Sequence, residues 1–149
     1  MKHSYFNASF RENFPGIEDI IRVNLLGAIY SIKSVLPGML ERRSGTIINI
    51  LSVVTEKIFT SSSAYSASKS GLQAYANVLR EEVRDKNIRV INVYPGATAT
   101  SIWPDETLQK HSGRMMKPDS IAEMIFSAYS EKSNLVAEEL ILRPIKGDL

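Results

Sequence analysis

Thr46-Ile47-Ile48-Asn49-Ile50-Leu51-Ser52 is the stretch on which the fold turns. It is a short, nearly unbroken apolar run, rich in β-branched residues and preceded by Gly45, which reads as a strand buried on both faces. Ile88-Arg-Val-Ile-Asn-Val-Tyr94 has the same character, and 137–143 gives a third run. Helical sequence lies between the first two, so the order is strand, helix, strand, and the expected class is α/β with a parallel sheet of about three strands and flanking helices. Ligands of open α/β sheets bind outside the carboxyl ends of the strands, which is where Ser52 falls.

Downstream, Tyr65-Ser-Ala-Ser-Lys69 places a phenol and an ammonium four residues apart, hence on one face of a helix. A neighbouring cation favours the phenolate and brings tyrosine toward proton exchange near neutrality, which suits a proton donor to a carbonyl. By itself the pair is an ordinary helix-face contact. Two features add to it. Asn24 lies on the apolar stripe Ile17, Ile20, Ile21, Ala28, Ile32, Val35, where an unpaired amide would cost ~1 to 3 kcal/mol, so it needs a partner. Pro95-Gly96 turns the chain sharply after the second strand, at the same sheet edge as Ser52.

Asn24 in Val-Asn-Leu-Leu-Gly, Ser52 in Asn-Ile-Leu-Ser, Tyr65-x-x-x-Lys69 and Pro95-Gly96-Ala97-Thr98-Ala99-Thr100 together resemble the short-chain dehydrogenase/reductase family, in order and at family-like intervals from about Ile17 onward. The resemblance implies a Rossmann-like doubly wound sheet, of which this chain is a part. It also implies an NAD- or NADP-dependent oxidoreductase, NADP slightly favoured, that moves a hydride between a nicotinamide and a small carbonyl or alcohol substrate. Asn24, Ser52, Tyr65 and Lys69 would be the catalytic tetrad. Asn24, Tyr65, Lys69, Pro95, Gly96, Thr98 and Thr100 would bind the cofactor, and Ser52, Ile102 and Trp103 the substrate. The sequence departs from the family in having no glycine-rich turn and no Asn-Asn-Ala-Gly segment. The expectation is therefore a catalytic half without the first βαβαβ unit that holds adenine, ribose and pyrophosphate. A non-catalytic truncated relative, kept as an assembly partner or a gene fragment, is the alternative.

Composition fits one partial domain over 1–149. The 18 basic and 16 acidic residues of the 149 are interspersed, and the net charge of +2 offers no patch for nucleic acid or a membrane surface. Zero cysteines exclude disulfides, thiolate metal sites and cysteine nucleophiles, and agree with a cytoplasmic protein. No unbroken apolar run reaches the ~20 residues needed to cross a bilayer. An exposed edge of strand 46–52 invites self-association, and the family resemblance points to a homo-oligomer.

The remaining expectations concern the elements. Residues 1–16 read as an irregular lead-in. A helix follows over 17–43, open to a bend at Pro37-Gly38, with Arg42 and Arg43 at its end as dipole partners rather than phosphate binders. The Tyr65 helix runs over 64–86, with small residues Ala64, Ala67, Gly71 and Ala74 that suit either close approach or routine core spacing. A long loop over 97–117 reads as a substrate lid, with Trp103 either a wall or an anchor of it, and His111 has no second ligand at metal spacing. A helix over 118–130 and the strand over 137–143 complete the chain.

Overall fold

The computed structural model describes residues 13–149; the expected lead-in up to residue 12 lies outside the described residues. The chain runs α1 (Phe14–Ile21), a π-helical turn (Arg22–Gly27), α2 (Ala28–Arg42), β1 (Gly45–Ile50), α3 (Ser63–Val83), β2 (Ile88–Pro95), α4 (Asp105–His111), α5 (Pro118–Ser130) and β3 (Glu139–Leu142). Three parallel strands pair in the order β1-β2-β3, with Asn49 beside Asn92 and Val93 beside Leu140. This is the expected three-stranded parallel α/β sheet.

The sheet's main core lies between its inner face and the α2–α3 layer, where Ile47, Ile88 and Val90 meet Ile32, Ala76, Leu79 and Val83. Leu51, Val53, Leu72 and Tyr94 continue it toward the carboxyl ends of the strands. β1 is buried on one face rather than two: Ile47 and Asn49 are inaccessible, whereas Ile50 is 48% exposed. The reason is position, since β1 is the edge strand with no described strand beyond it, and an apolar run does not distinguish an edge from a centre.

Several boundaries differ from expectation. The first helix starts at Phe14, because Asn13 caps it by accepting from the Gly16 amide at 2.9 Å and Pro15 fits the first turn. The helix passes through Pro37 to Arg42, and its irregularity is instead the π turn at Arg22–Gly27. The helix ends in a left-handed residue that is Arg43, not Gly45. That conformation is held from outside, by Arg43 donating to Asp85 O at 2.7 Å and Asn87 donating to Arg43 O at 3.1 Å. Arg43 therefore ties this corner to the end of α3. The segment 97–117 is also not structureless. It contains α4 and a short 3₁₀ turn, and both its ends are pinned by Ala99 N–Met116 O and Met116 N–Ala97 O bonds of 2.9 Å.

Though no unbroken apolar run is that long, the helical stretch Phe14–Arg42, 29 residues, is by length and composition apolar enough to cross a membrane. Here it packs on α3 and buries Ile20 and Ile32. Gly71 makes that packing close, since a Cβ there would stand 3.0 Å from Leu25 Cδ2. Of the two readings of the small residues, close approach applies at this position.

The strands are also tied by polar groups. Asn49 donates to its register partner Asn92 at 3.0 Å, and Asn92 donates to Asn77 at 3.0 Å. Arg80, only 9% exposed, donates to Val90 O and Glu138 O at 3.0 Å and pairs with Glu139 at 2.7 Å. A buried guanidinium is tolerated when its fork is filled in this way, and the filling fixes α3 against β2 and β3.

Candidate active site

Ser52 lies just beyond β1, after Leu51, in extended conformation, and opens a 3₁₀ turn, Val53–Thr55. Its Oγ accepts from the Val54 amide at 3.3 Å, which fixes the side chain at the carboxyl end of the strand. The residue is 8% exposed. α3 then brings Tyr65 and Lys69 onto one face. The Lys69 ammonium lies 5.7 Å from the centre of the Tyr65 ring and donates to Ile50 O at 2.8 Å. Burial pulls the Lys69 pKa below its ordinary value. Its proton is thus released more readily than that of a surface lysine.

Ser62 and Ser66 steady the start of α3. Ser62, 1% exposed, donates to Phe59 O at 2.6 Å and shares a 3.0 Å hydroxyl pair with Ser66. The Ser-rich segment before the helix is therefore structural, locking the turn from which Tyr65 emerges.

Asn24 sits in the π turn. The extra residue of a π turn displaces side chains from their regular helical positions, and such turns concentrate at functional sites. The Asn24 amide donates at 3.3 Å to Ser68 Oγ, which in turn donates to Tyr65 O at 2.7 Å. The partner that the sequence demanded for Asn24 is therefore the helix that carries Tyr65 and Lys69.

From the other side, Pro95-Gly96 ends β2 and leads into the pinned loop. Thr98 Oγ1 donates to Gly96 O at 2.9 Å, and the Trp103 indole donates to Thr98 O at 3.0 Å. Trp103 is both anchor and wall, since it also lines the cavity.

That cavity, about 630 Å³, is bounded by Ser52, Tyr65, Lys69, Pro95, Gly96, Thr98, Thr100, Ile102 and Trp103. Asn24 opens onto an adjoining recess with Tyr65, Lys69, Thr100 and Ile102. All ten residues singled out in the sequence therefore converge. Sequence reasoning missed Phe59, the α5 residues Ile121, Ala122 and Ile125, and Asp148. The α5 stripe carried a signal, an apolar helix face, but nothing to aim it. Asp148 carried none. A phenol beside a buried ammonium and a fixed hydroxyl on an apolar cavity are the kinds of group that can polarise a carbonyl oxygen and pass it a proton.

Comparison with known proteins bears on this arrangement. Residues 7–111 match the family model of short chain dehydrogenases, and the chain belongs to that family. It is similar to sepiapterin reductase of Chlorobaculum tepidum, 36% identical over 131 residues that are 87% of this chain and 52% of the relative. Among solved structures it resembles acetoin dehydrogenase YohF from Salmonella typhimurium, with TM-score 0.77 and 28% identity over 92% of this chain and 58% of the other. It also resembles a metagenomic short-chain oxidoreductase in complex with NADP, with TM-score 0.75 and 25% identity over 93% and 56%. The chain spans about half the length of the curated relatives it matches.

Proposed function

We propose that this chain carries the proton-handling and substrate-binding part of an NAD(P)-dependent oxidoreductase acting on a small carbonyl or alcohol. One observation carries the reading: Ser52, Tyr65 and Lys69 meet the Pro95–Thr100 backbone on a single cavity at the carboxyl ends of β1 and β2, with Asn24 tied to the same helix through Ser68. The NADP held by the metagenomic relative supports NADP as the cofactor.

The residues present fit the reacting end of such a cofactor. Lys69 carries three N–H donors, one of them committed to Ile50 O, and offers the kind of group that binds a ribose diol. The Pro95-Gly96 turn brings bare backbone to the cavity wall, with Thr98 and Thr100 beside it. Among the described residues there is no glycine-rich phosphate cradle, so pyrophosphate and adenine contacts would have to come from elsewhere. When bound, the nicotinamide supplies or accepts the hydride at the substrate carbon.

The chain's own residues would handle the oxygen. Ser52 Oγ donates to the substrate oxygen and holds it near Tyr65. Tyr65 Oη protonates that oxygen in reduction and takes the proton back in oxidation, while the adjacent Lys69 charge eases its release. Asn24 holds Ser68 and thereby the α3 turn behind Tyr65, and would connect Lys69 to solvent through a water. Self-association belongs to this reading: Val23 at 60% and Tyr30 at 63% exposure on the first helical run, and the free edge of β1, favour contact with a second copy over a monomer. The cytoplasm is the proposed compartment, on the absence of cysteine.

Cofactor titration of the 149-residue chain tests the reading. Weak, micromolar-or-poorer binding of NADPH that is further weakened by Lys69→Ala is the expected result. Submicromolar binding, or binding indifferent to Lys69, would refute the division of labour described above.

A further inference from the structure

After β3 the chain folds back on the site. Gly147, in left-handed backbone, closes the turn by donating its amide to Pro144 O at 2.8 Å. The turn lays Asp148 against Pro95-Gly96, with Oδ1 2.7 Å from where a Cβ on Gly96 would stand, and beside it Gly96 N donates to Leu142 O at 2.8 Å. Oδ1 is buried in that packing and has no hydrogen-bond partner. The other oxygen takes the Arg143 guanidinium and faces Lys57 Nζ at 3.6 Å. Lys57 belongs to the turn that opens at Ser52, where its amide donates to Val53 O at 3.0 Å. One carboxylate therefore joins the segments that leave the carboxyl ends of all three strands. An apolar side chain would fill the hollow over Gly96 without leaving an oxygen unpaired, so what the carboxylate adds is the junction of the two cations. The next residue, Leu149, lines the cavity with Ser52, Tyr65 and Phe59.

We propose that Asp148 is a positioning residue: it fixes the turn over 147–149 so that Leu149 forms a wall against which the apolar body of a carbonyl substrate packs. The inference rests on the cavity being the carbonyl site. Asp148 itself meets no ligand, since Oδ1 is packed against Gly96 and the other oxygen is held by two cations. The chemistry of the wall names the substrate class. Leu149 shares the cavity with Val53, Phe59, Ile121 and Ile125, and the only charged residues that border it are Lys69, at the reacting end, and Asp148, whose charge Arg143 and Lys57 already balance. An uncharged aromatic or alicyclic ring that carries the ketone suits these surroundings. A wall held in place before the ligand arrives contributes its contacts without the entropy cost of ordering, and release of the Asp148 junction forfeits that advantage.

The test needs no turnover. Trp103 is the only tryptophan of the chain and lines the cavity, so its indole N–H gives a single reporter resonance in nitrogen-labelled protein. The full chain is titrated with acetophenone, an uncharged aryl ketone. Leu149→Ala is expected to weaken binding about fivefold, through the lost apolar contact. Asp148→Asn, which keeps the shape and removes the charge, should weaken it to a similar extent, with the ligand-free Trp103 resonance in its native place as the sign that the fold is intact. In the double variant the two losses should not multiply, because Asp148 acts through Leu149; a general loosening of the structure would make them multiply. Affinity unchanged by either single substitution, or losses that multiply in the double variant, would overturn the proposal while leaving the cavity reading intact. A Trp103 resonance that acetophenone does not move would overturn the cavity reading and this inference with it.

Discussion

Two polar clusters share β1 and α3, one in the middle of the sheet and one at its carboxyl edge, and they use their hydrogen-bonding capacity in opposite ways. In the middle of the sheet, Asn49, Asn92, Asn77, Arg80 and Glu139 spend theirs on one another and on the backbone. Toward the strand ends, Val54 N holds Ser52 and Ile50 O holds Lys69, and these two residues border a cavity together with Tyr65. A closed network fixes register and helix placement. An open one is positioned by the chain but finished by a ligand. Burial alone does not separate the two, since Ser52 and Asn49 are 8% and 5% exposed.

The largest effect is expected on the open side. In a form of the protein completed by its cofactor-binding half, Tyr65→Phe should lower carbonyl reduction by about a thousandfold, the range lost when a positioned general acid is removed. Cofactor affinity should change little, because the substitution deletes a transferable proton and almost no surface. Lys69→Ala should reduce both. Steady-state kinetics beside cofactor titration separates the two, and near-normal turnover in Tyr65→Phe would return the Tyr-Lys pair to an ordinary helix contact.

The closed network should respond in stability. Arg80→Leu leaves Glu139 without its cation and removes the guanidinium's bonds to Val90 O and Glu138 O, for an expected loss of ~1 to 3 kcal/mol in urea unfolding. Tyr65→Phe should stay within ~1 kcal/mol of the native chain in the same assay. If both variants were equally destabilised, the distinction between the clusters would fail.

A finer test uses the cross-strand amides. Asn92→Leu strands the buried Asn49 side chain and should cost ~1 to 3 kcal/mol. Adding Asn49→Leu removes that orphan and lets two apolar side chains meet across the strands. The double variant should then be ~1 kcal/mol or more better than the sum of the singles. Strict additivity would mean that the amide pair contributes nothing as a pair.

Sequence patterning disclosed the open cluster better than the closed one, for a physical reason. Ser52, Tyr65 and Lys69 stand at fixed intervals on elements that the apolar runs delimit, so their convergence follows once strand and helix are placed. Asn49 and Asn92 also stood in view, each a single amide within an apolar run, but that they face one another depends on register, which only the paired strands show. The π turn at Asn24 left no pattern, because it shifts the helix by a residue whose identity is unremarkable. Asp148 was invisible for another reason: it reaches the Gly96 turn only because the chain folds back after β3, a contact between distant segments that no local signal encodes. The helix inside 97–117 went unread since its seven residues are polar and short.

The smallest effect sharpens the comparison with a titration. Tyr94, 1% exposed, belongs to the closed side: Gln73 donates to its hydroxyl at 3.3 Å, and Glu139 lies beside it. Burial first, then the hydrogen bond and negative charge of Glu139, push its phenol from the ordinary 10.0 up to about 12. Between those two values the unfolded chain has released this proton and the native chain still holds it. The native state then binds more protons, so stability is fully present below pH 10.0, falls as pH rises, and has lost this contribution once pH passes about 12. Lys69 acts with the opposite sign, because burial lowers its pKa and the native chain gives up that proton first, so stability rises with pH in a window lying below 10.5. Urea midpoints measured across the alkaline range should therefore fall less steeply in Tyr94→Phe than in the native chain, whereas Lys69→Met should remove the rise that precedes the fall. Tyr94→Phe also loses the bond from Gln73, which lowers the whole curve without altering its slope. An unchanged slope in Tyr94→Phe would show that the phenol is not held by the closed network, and that the two clusters are less different than their hydrogen bonds make them.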